Sequence, residues 1–132
     1  MKIQDIPVET DERYQLVSIT DGVKGAVRDA GVDEGICIIC STHTTAAVTV
    51  NEDYDRDVPR DLAAACLAFL DVLDVPFEHA EGNSDSHFLT SIFGQSQTLL
   101  VRGGALDLGR WQGIFLAEFD GPRRRTVRVA VL

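Results

Sequence analysis

The three histidines of this chain all sit in short polar segments, and none lies on an apolar stripe. His43 is in Ser41-Thr42-His43-Thr44-Thr45, while His79 and His87 bracket Glu81-Gly82-Asn83-Ser84-Asp85. Neutral imidazole is the commonest protein ligand for zinc and related ions, and three imidazoles plus a water form an open catalytic site. The distribution suggests one shared site; the alternative is three unrelated hydrogen-bonded surface residues. The segment from His79 to His87 is the densest polar stretch, with Gly82 free to take unusual backbone angles and Asn83 at the start of a predicted helix. Backbone N–H groups there can hold an anion.

Three further clusters could carry chemistry. Asn51-Glu52-Asp53-Tyr54-Asp55-Arg56-Asp57 places four carboxylates ahead of a helix. Capping and the helix dipole explain Asp57 but not Glu52 or Asp55, and the spacing of a calcium-binding EF-hand is absent. Gly109-Arg110-Trp111-Gln112-Gly113 can flank a ring-shaped ligand with Trp111 and Gln112, or supply a core tryptophan. Arg123, Arg124, Arg125 and Arg128 carry guanidinium forks that match phosphate. By position alone they read as exposed residues alternating on an edge strand.

Cys37-Ile38-Ile39-Cys40 has the spacing of a redox or zinc CxxC, yet it lies inside a buried-strand pattern. Positions three apart on a strand point to opposite faces, so both thiols read as core, as does Cys66.

The elements that must position these groups follow from periodicity. Arg13 to Thr20 alternates as a strand. Asp21 caps a helix through Ala30, stopped by Gly31. Gly35–Ser41 and Ala46–Asn51 are strands with a turn near His43 between them. A long helix starts at Asp57 or Val58, with Pro59 in its first turn and Leu62, Cys66, Leu67, Leu70 and Leu73 at helical spacing. Ser84 caps a short helix through Phe93, with Phe88, Leu89 and Ile92 inward and Gly94 as its stop. Gln97–Val101, Trp111–Phe119 and Thr126–Leu132 are strands, the last two joined by the turn Asp120-Gly121-Pro122-Arg123.

The expected fold is α+β: one compact domain over residues 1–132, a β-sandwich-like sheet with flanking helices. A net charge of −9 argues against broad binding to nucleic acid or acidic membranes. No apolar run reaches the length of a membrane span, and the first residues lack signal-peptide character, so the expected location is cytoplasmic.

Taken together, His43-Thr44-Thr45, Asn51-Glu52, the run from His79 to His87, Leu108-Gly109 with Trp111-Gln112-Gly113, and Glu118-Phe119-Asp120-Gly121-Pro122-Arg123 resemble the YjbQ-like family, whose members are often labelled secondary thiamine-phosphate synthases. The resemblance implies a homotrimer and a metal, zinc foremost, on His43, His79 and His87; magnesium would suit a diphosphate substrate. It implies a transferase activity joining a pyrimidine diphosphate to a thiazole phosphate with release of pyrophosphate.

On that basis Asp85 and Glu118 are the catalytic candidates, Asp85 orienting a histidine and Glu118 acting as acid or base. Thr45, Asn51, Glu52, Gly82, Asn83, Gln112 and Arg123 are candidates for holding a small phosphorylated metabolite. The competing expectation is a trimer that binds metal or phosphometabolite without turnover. This chain departs from the family pattern at Arg110, Arg56 and Ser86, and Arg110 bears on the shape and charge of the pocket.

Overall fold

The computed structural model describes residues 1–132. Eleven elements follow in the order β1 (Lys2–Glu9), β2 (Gln15–Ser18), α1 (Thr20–Ala30), β3 (Gly35–Ser41), β4 (Ala46–Glu52), α2 (Asp57–Val72), α3 (Ser84–Phe93), β5 (Ser96–Arg102), β6 (Ala105–Leu106), β7 (Gln112–Glu118) and β8 (Arg124–Val131). They form two antiparallel sheets, one ordered β1-β8-β3-β5-β6 and the other β2-β7-β4. The architecture is the expected α+β sandwich. No helix is long and apolar enough to cross a membrane.

Strand alternation decides the layers. On β8, Val127, Val129 and Val131 point inward and meet Cys37 and Ile39 of β3, Val48 of β4, and Ile114 and Leu116 of β7. Helix α1 closes this core with Val23, Ala26 and Val27. The odd-numbered residues of β7 face the other way. Phe115 and Ala117, with Ala47, Leu16 and Phe119, form a second core under Cys66 of α2 and Leu89 of α3. Strand β7 is therefore buried on both faces, and the helices α2 and α3 cover the far side of the smaller sheet.

Several expectations are corrected. Strand β1 is not marked in the sequence, because only Val8 of it is buried and it therefore shows no alternation. It pairs with β8 along its whole length, so β8 is an interior strand and not an edge. Arg125 shares the inward face of Val127, Val129 and Val131 and is 4% exposed, against the expectation of a solvated arginine row. Asp21 lies in the first turn of α1 rather than at its cap, and Asn83, not Ser84, takes the cap position of α3, without a side-chain cap bond in either case. In α3 Leu89 is buried but Ile92 is exposed. In α2 only Cys66 is buried.

Candidate functional site

The short connection from Thr42 to Thr45 joins the two sheets, because β3 lies in one and β4 in the other. Helix α3 and the β7–β8 turn converge on it. Between them lies an open cleft of about 350 Å³ with no hydrophobic residue in its lining, walled by His43, Glu81, Asn83, His87, Arg123 and Arg125 among others.

Its floor is a buried ion pair. Glu118 ends β7 and Arg125 opens the inward face of β8; their side chains are 0% and 4% exposed. Arg125 Nε donates to Glu118 Oε2 at 2.7 Å, and its Nη2 donates to Glu118 Oε1 and to Thr45 Oγ1. Thr10 and the Asp120 N–H donate to the same carboxylate. Burial pushes the Glu118 carboxyl upward, but the hydrogen bonds from Arg125, Asp120 and Thr10 and the Arg125 charge outweigh it, so the group is held below its ordinary range. Each partner leans on the other: removing one would strand a buried charge.

Above this floor the groups are less satisfied. Asn83 donates from Nδ2 to Asp120 Oδ2 at 3.0 Å, yet its Oδ1 is buried with no partner. An orphaned buried acceptor costs about 1–3 kcal/mol. Arg123 donates Nε to the Asp120 carbonyl and Nη2 to Asp120 Oδ2, leaving Nη1 without a partner in the chain.

His43 accepts the Thr126 N–H at Nε2 at 2.8 Å. Burial, then the Arg125 charge, holds this imidazole below its ordinary pKa, which keeps it neutral with its proton on Nδ1. His87 lines the same cleft, and His79 lies edge-on to it with ring centroids 5.6 Å apart. The three imidazoles thus occupy one neighbourhood, although no three His, Cys, Asp or Glu side chains stand together as a metal cage.

The other sequence candidates are placed elsewhere or are already engaged. Asp85 points away from the histidines; Arg13 donates to it at 3.0 Å and Tyr14 donates to it as well. Glu118 is closed off by its four donors and presents no free oxygen to a cleft ligand. Thr45 is buried with its hydroxyl on Arg125. The Gly82 N–H donates to the His79 carbonyl and so closes the turn rather than facing an anion.

Asn51, Glu52 and Gln112 lie at the opposite end of the β4–β7 pair: Glu52 pairs with Gln112, whereas Ala46 pairs with Glu118. Six residues of strand separate the two ends by about 20 Å. There Trp111 is half-exposed, edge-on to Tyr54 at 4.9 Å and beneath the Arg110 guanidinium at 4.7 Å, so it is not a core residue. The two CxxC thiols do point to opposite faces, and all three cysteines are free; Cys37 and Cys66 are buried as expected, but Cys40 is partly exposed on the other face of β3 and is not a core residue.

Sequence reasoning missed Arg125 and Thr10. The signal for Arg125 was present: counting back by twos from Val131 through Val129 and Val127 places it on the buried face. Thr10 lies in the chain after β1 and meets Glu118 only through the fold, so no local signal marks it.

Residues 4–132 match the family described as UPF0047 protein YjbQ-like. The chain is 43% identical to UPF0047 protein MJ1081 of Methanocaldococcus jannaschii over 125 residues, covering 95% of this chain and 90% of that one. It is 36% identical to UPF0047 protein YugU of Bacillus subtilis, covering 98% of each. Among solved structures, a YjbQ/UPF0047 protein of Clostridium acetobutylicum superposes with a TM-score of 0.93 at 39% identity, covering 98% of this chain and 99% of that one. A YbjQ-like protein of Sulfolobus solfataricus gives a TM-score of 0.92 at 34% identity, covering 98% and 95%.

Proposed function

The chain belongs to the YjbQ-like UPF0047 family, and on that premise we propose that the cleft beside Arg123 binds a small phosphorylated metabolite and acts on it with a divalent ion, zinc foremost. The observation that carries this reading is the convergence of Arg123, with Nη1 free, and His87 in one cleft lined by no hydrophobic residue, beside Asn83, whose Oδ1 is buried without a partner. The first turn of α3 also opens there, with a partial positive charge that favours an anion.

The fit to a metal rests on the imidazoles. The 5.6 Å between the His79 and His87 rings suits two ligands of one ion. His43 would join them by giving up its bond to the Thr126 N–H. A bound ion would supply positive charge opposite a departing pyrophosphate. Arg123 would hold a phosphate, and the Glu118–Arg125 pair would fix the β7–β8 turn that carries Arg123. The particular reaction suggested by the family resemblance joins a pyrimidine diphosphate and a thiazole phosphate into thiamine phosphate.

Two measurements test this. Zinc content after dialysis should approach one per chain and fall on His79→Ala and on His87→Ala; unchanged content in both variants removes the metal. Thiamine phosphate and pyrophosphate should form together in a single-turnover mixture of the two substrates.

A second reading has its own observation. Both acid/base candidates are tied up, Glu118 by Arg125 and Asp85 by Arg13 and Tyr14, which favours binding without turnover. Substrate retained by the protein with no product would support it.

We also propose a homotrimer. Its support is the outer face of the larger sheet, where Ile3, Ala130 and Ile38 line up across three strands beside Ile36 and Leu100. Ile3 and Leu100 are more than half exposed. Light scattering at micromolar concentration should give three times the chain mass, and a monomer mass would exclude it.

A further inference from the structure

Helix α3 carries a polar stripe beyond the cleft just described. Asn83, His87, Thr90, Ser91 and Gly94 recur at helical spacing and share one face. The first two line the arginine cleft. The last three, with His87 and Thr44, line a second open cleft of about 510 Å³ that is walled by no hydrophobic residue either. Thr44 and His87 belong to both, so the two clefts meet across the His87 ring.

One lining residue of each cleft carries a polar atom that the chain leaves buried without a partner: Asn83 Oδ1 behind the first and Thr90 Oγ1 behind the second. Thr90 is 3% exposed, and its hydroxyl does not make the bond back to the preceding turn that a helical threonine usually finds. The two residues are seven apart, which on a helix is a separation of about 10 Å along the axis.

The lining of the second cleft narrows what it would take. Gln95 uses its Nε2 on the His43 carbonyl at 3.0 Å, which leaves its Oε1 free as an acceptor. Ser91 donates to the His87 carbonyl at 2.9 Å, leaving its lone pairs. Besides His87, every group offered is a neutral hydroxyl or amide, with no guanidinium, ammonium or carboxylate. Such a set of donors and acceptors matches a neutral group rich in hydroxyls, and the carbons beside them can pack on its C–H faces. We infer that the two clefts form one site for a phosphorylated polyol of sugar-phosphate size, with the phosphate at Arg123 and the hydroxyls along Thr90, Ser91 and Gln95.

The inference rests on the reading of the arginine cleft as an anion site, and the experiment separates the two. Inorganic phosphate and glucose 6-phosphate are titrated calorimetrically into the intact protein and into three variants. The sugar phosphate should bind at least tenfold tighter than phosphate. Thr90→Val should remove most of that advantage while leaving phosphate affinity unchanged, and Arg123→Ala should weaken both ligands. Thr90→Val keeps the side-chain shape and removes an unsatisfied hydroxyl, so it should melt no lower than the parent. Gln95→Ala, at an exposed position, repeats the test without touching the interior.

Equal affinities for the two ligands, with Thr90→Val and Gln95→Ala silent, overturn the polyol subsite and leave the anion site standing. Binding of neither ligand removes the anion site, and the polyol subsite with it.

Discussion

The β4–β7 pair carries a polar cluster at each end, and the two are built on different principles. At the Glu118 end a buried ion pair organises what lies above it: Thr45 and Thr10 are drawn in by hydrogen bonds, and Arg123, Asn83 and His87 are left facing a common space. At the Gln112 end the bonds that form are mostly local and organise no shared space. Asn51 Oδ1 accepts the N–H of the next residue, and Gln112 Oε1 accepts the Gly109 N–H. Asp53 accepts from Ser18 and Thr20, pressed so close to β7 that a Cβ at Gly113 would meet its own at 2.2 Å. Both ends hold residues of the kinds that bind ligands. Only the first holds a buried side-chain atom without a partner, Asn83 Oδ1, and that separates the two.

The largest break in this contrast should come from Arg125→Ala. It strands the Glu118 carboxylate in the interior, and the expected loss is about 3–5 kcal/mol in urea unfolding. Trp111→Ala at the other end should lose less than about 2 kcal/mol, because half of the ring is already in water. Comparable losses would show that the buried pair does not organise the fold.

Next in size is Arg123→Ala, which should weaken phosphate binding about tenfold to a hundredfold, or ~1.5–3 kcal/mol. Arg128 is paired with Asp5 on the outer face of the larger sheet, and Arg128→Ala should leave the affinity unchanged. Equal, small effects would mean that the arginines are only a charged surface.

Acid sharpens the contrast in a third way. Asp120 is held low, like Glu118: burial raises it, and hydrogen bonds from Asn83 and Arg123 outweigh that. A carboxylate with a depressed folded value contributes stability that is fully present above its unfolded value of about 4, and that stability is lost as pH falls through the folded value. Unfolding free energy should therefore be level above about pH 5 and fall below it. Glu118→Gln should make that fall shallower, and an unchanged slope would show that the pair plays no part in it.

The smallest effect belongs to Gln112→Ala. Its side chain is exposed and bonded three residues away, so stability should change by less than about 0.5 kcal/mol and phosphate affinity not at all. A large loss of phosphate affinity would bring the two ends into one site, as only a second chain could do across about 20 Å.

Much of this molecule is legible in the chain because local rules act on adjacent residues. A short continuous apolar run marks β3 at its observed bounds, and helical spacing with Gly94 as a stop marks the course of α3 from Ser84 to Phe93. At Gly94 the backbone has φ of 86°, which a side chain would resist. The concentration of His79, Asn83 and His87 in one polar run also points to the right neighbourhood. Strand β1 was hidden because it is exposed on most positions and has no period to read; it exists because β8 offers it an edge to pair with.

The site followed the same division. The types of its residues are written in the sequence, but their commitments are not. Asp85 and Glu118 look alike as free carboxylates until the fold brings Arg13 and Tyr14, 72 and 71 residues away, to the first, and Arg125 and Thr10 to the second. Whether a polar atom is free depends on every neighbour within about 3.5 Å, and those neighbours come from distant parts of the chain. The sequence alone therefore determined which groups could do chemistry. Tertiary structure decided which of them are committed, and left Asn83 Oδ1 and Thr90 Oγ1 buried without a partner.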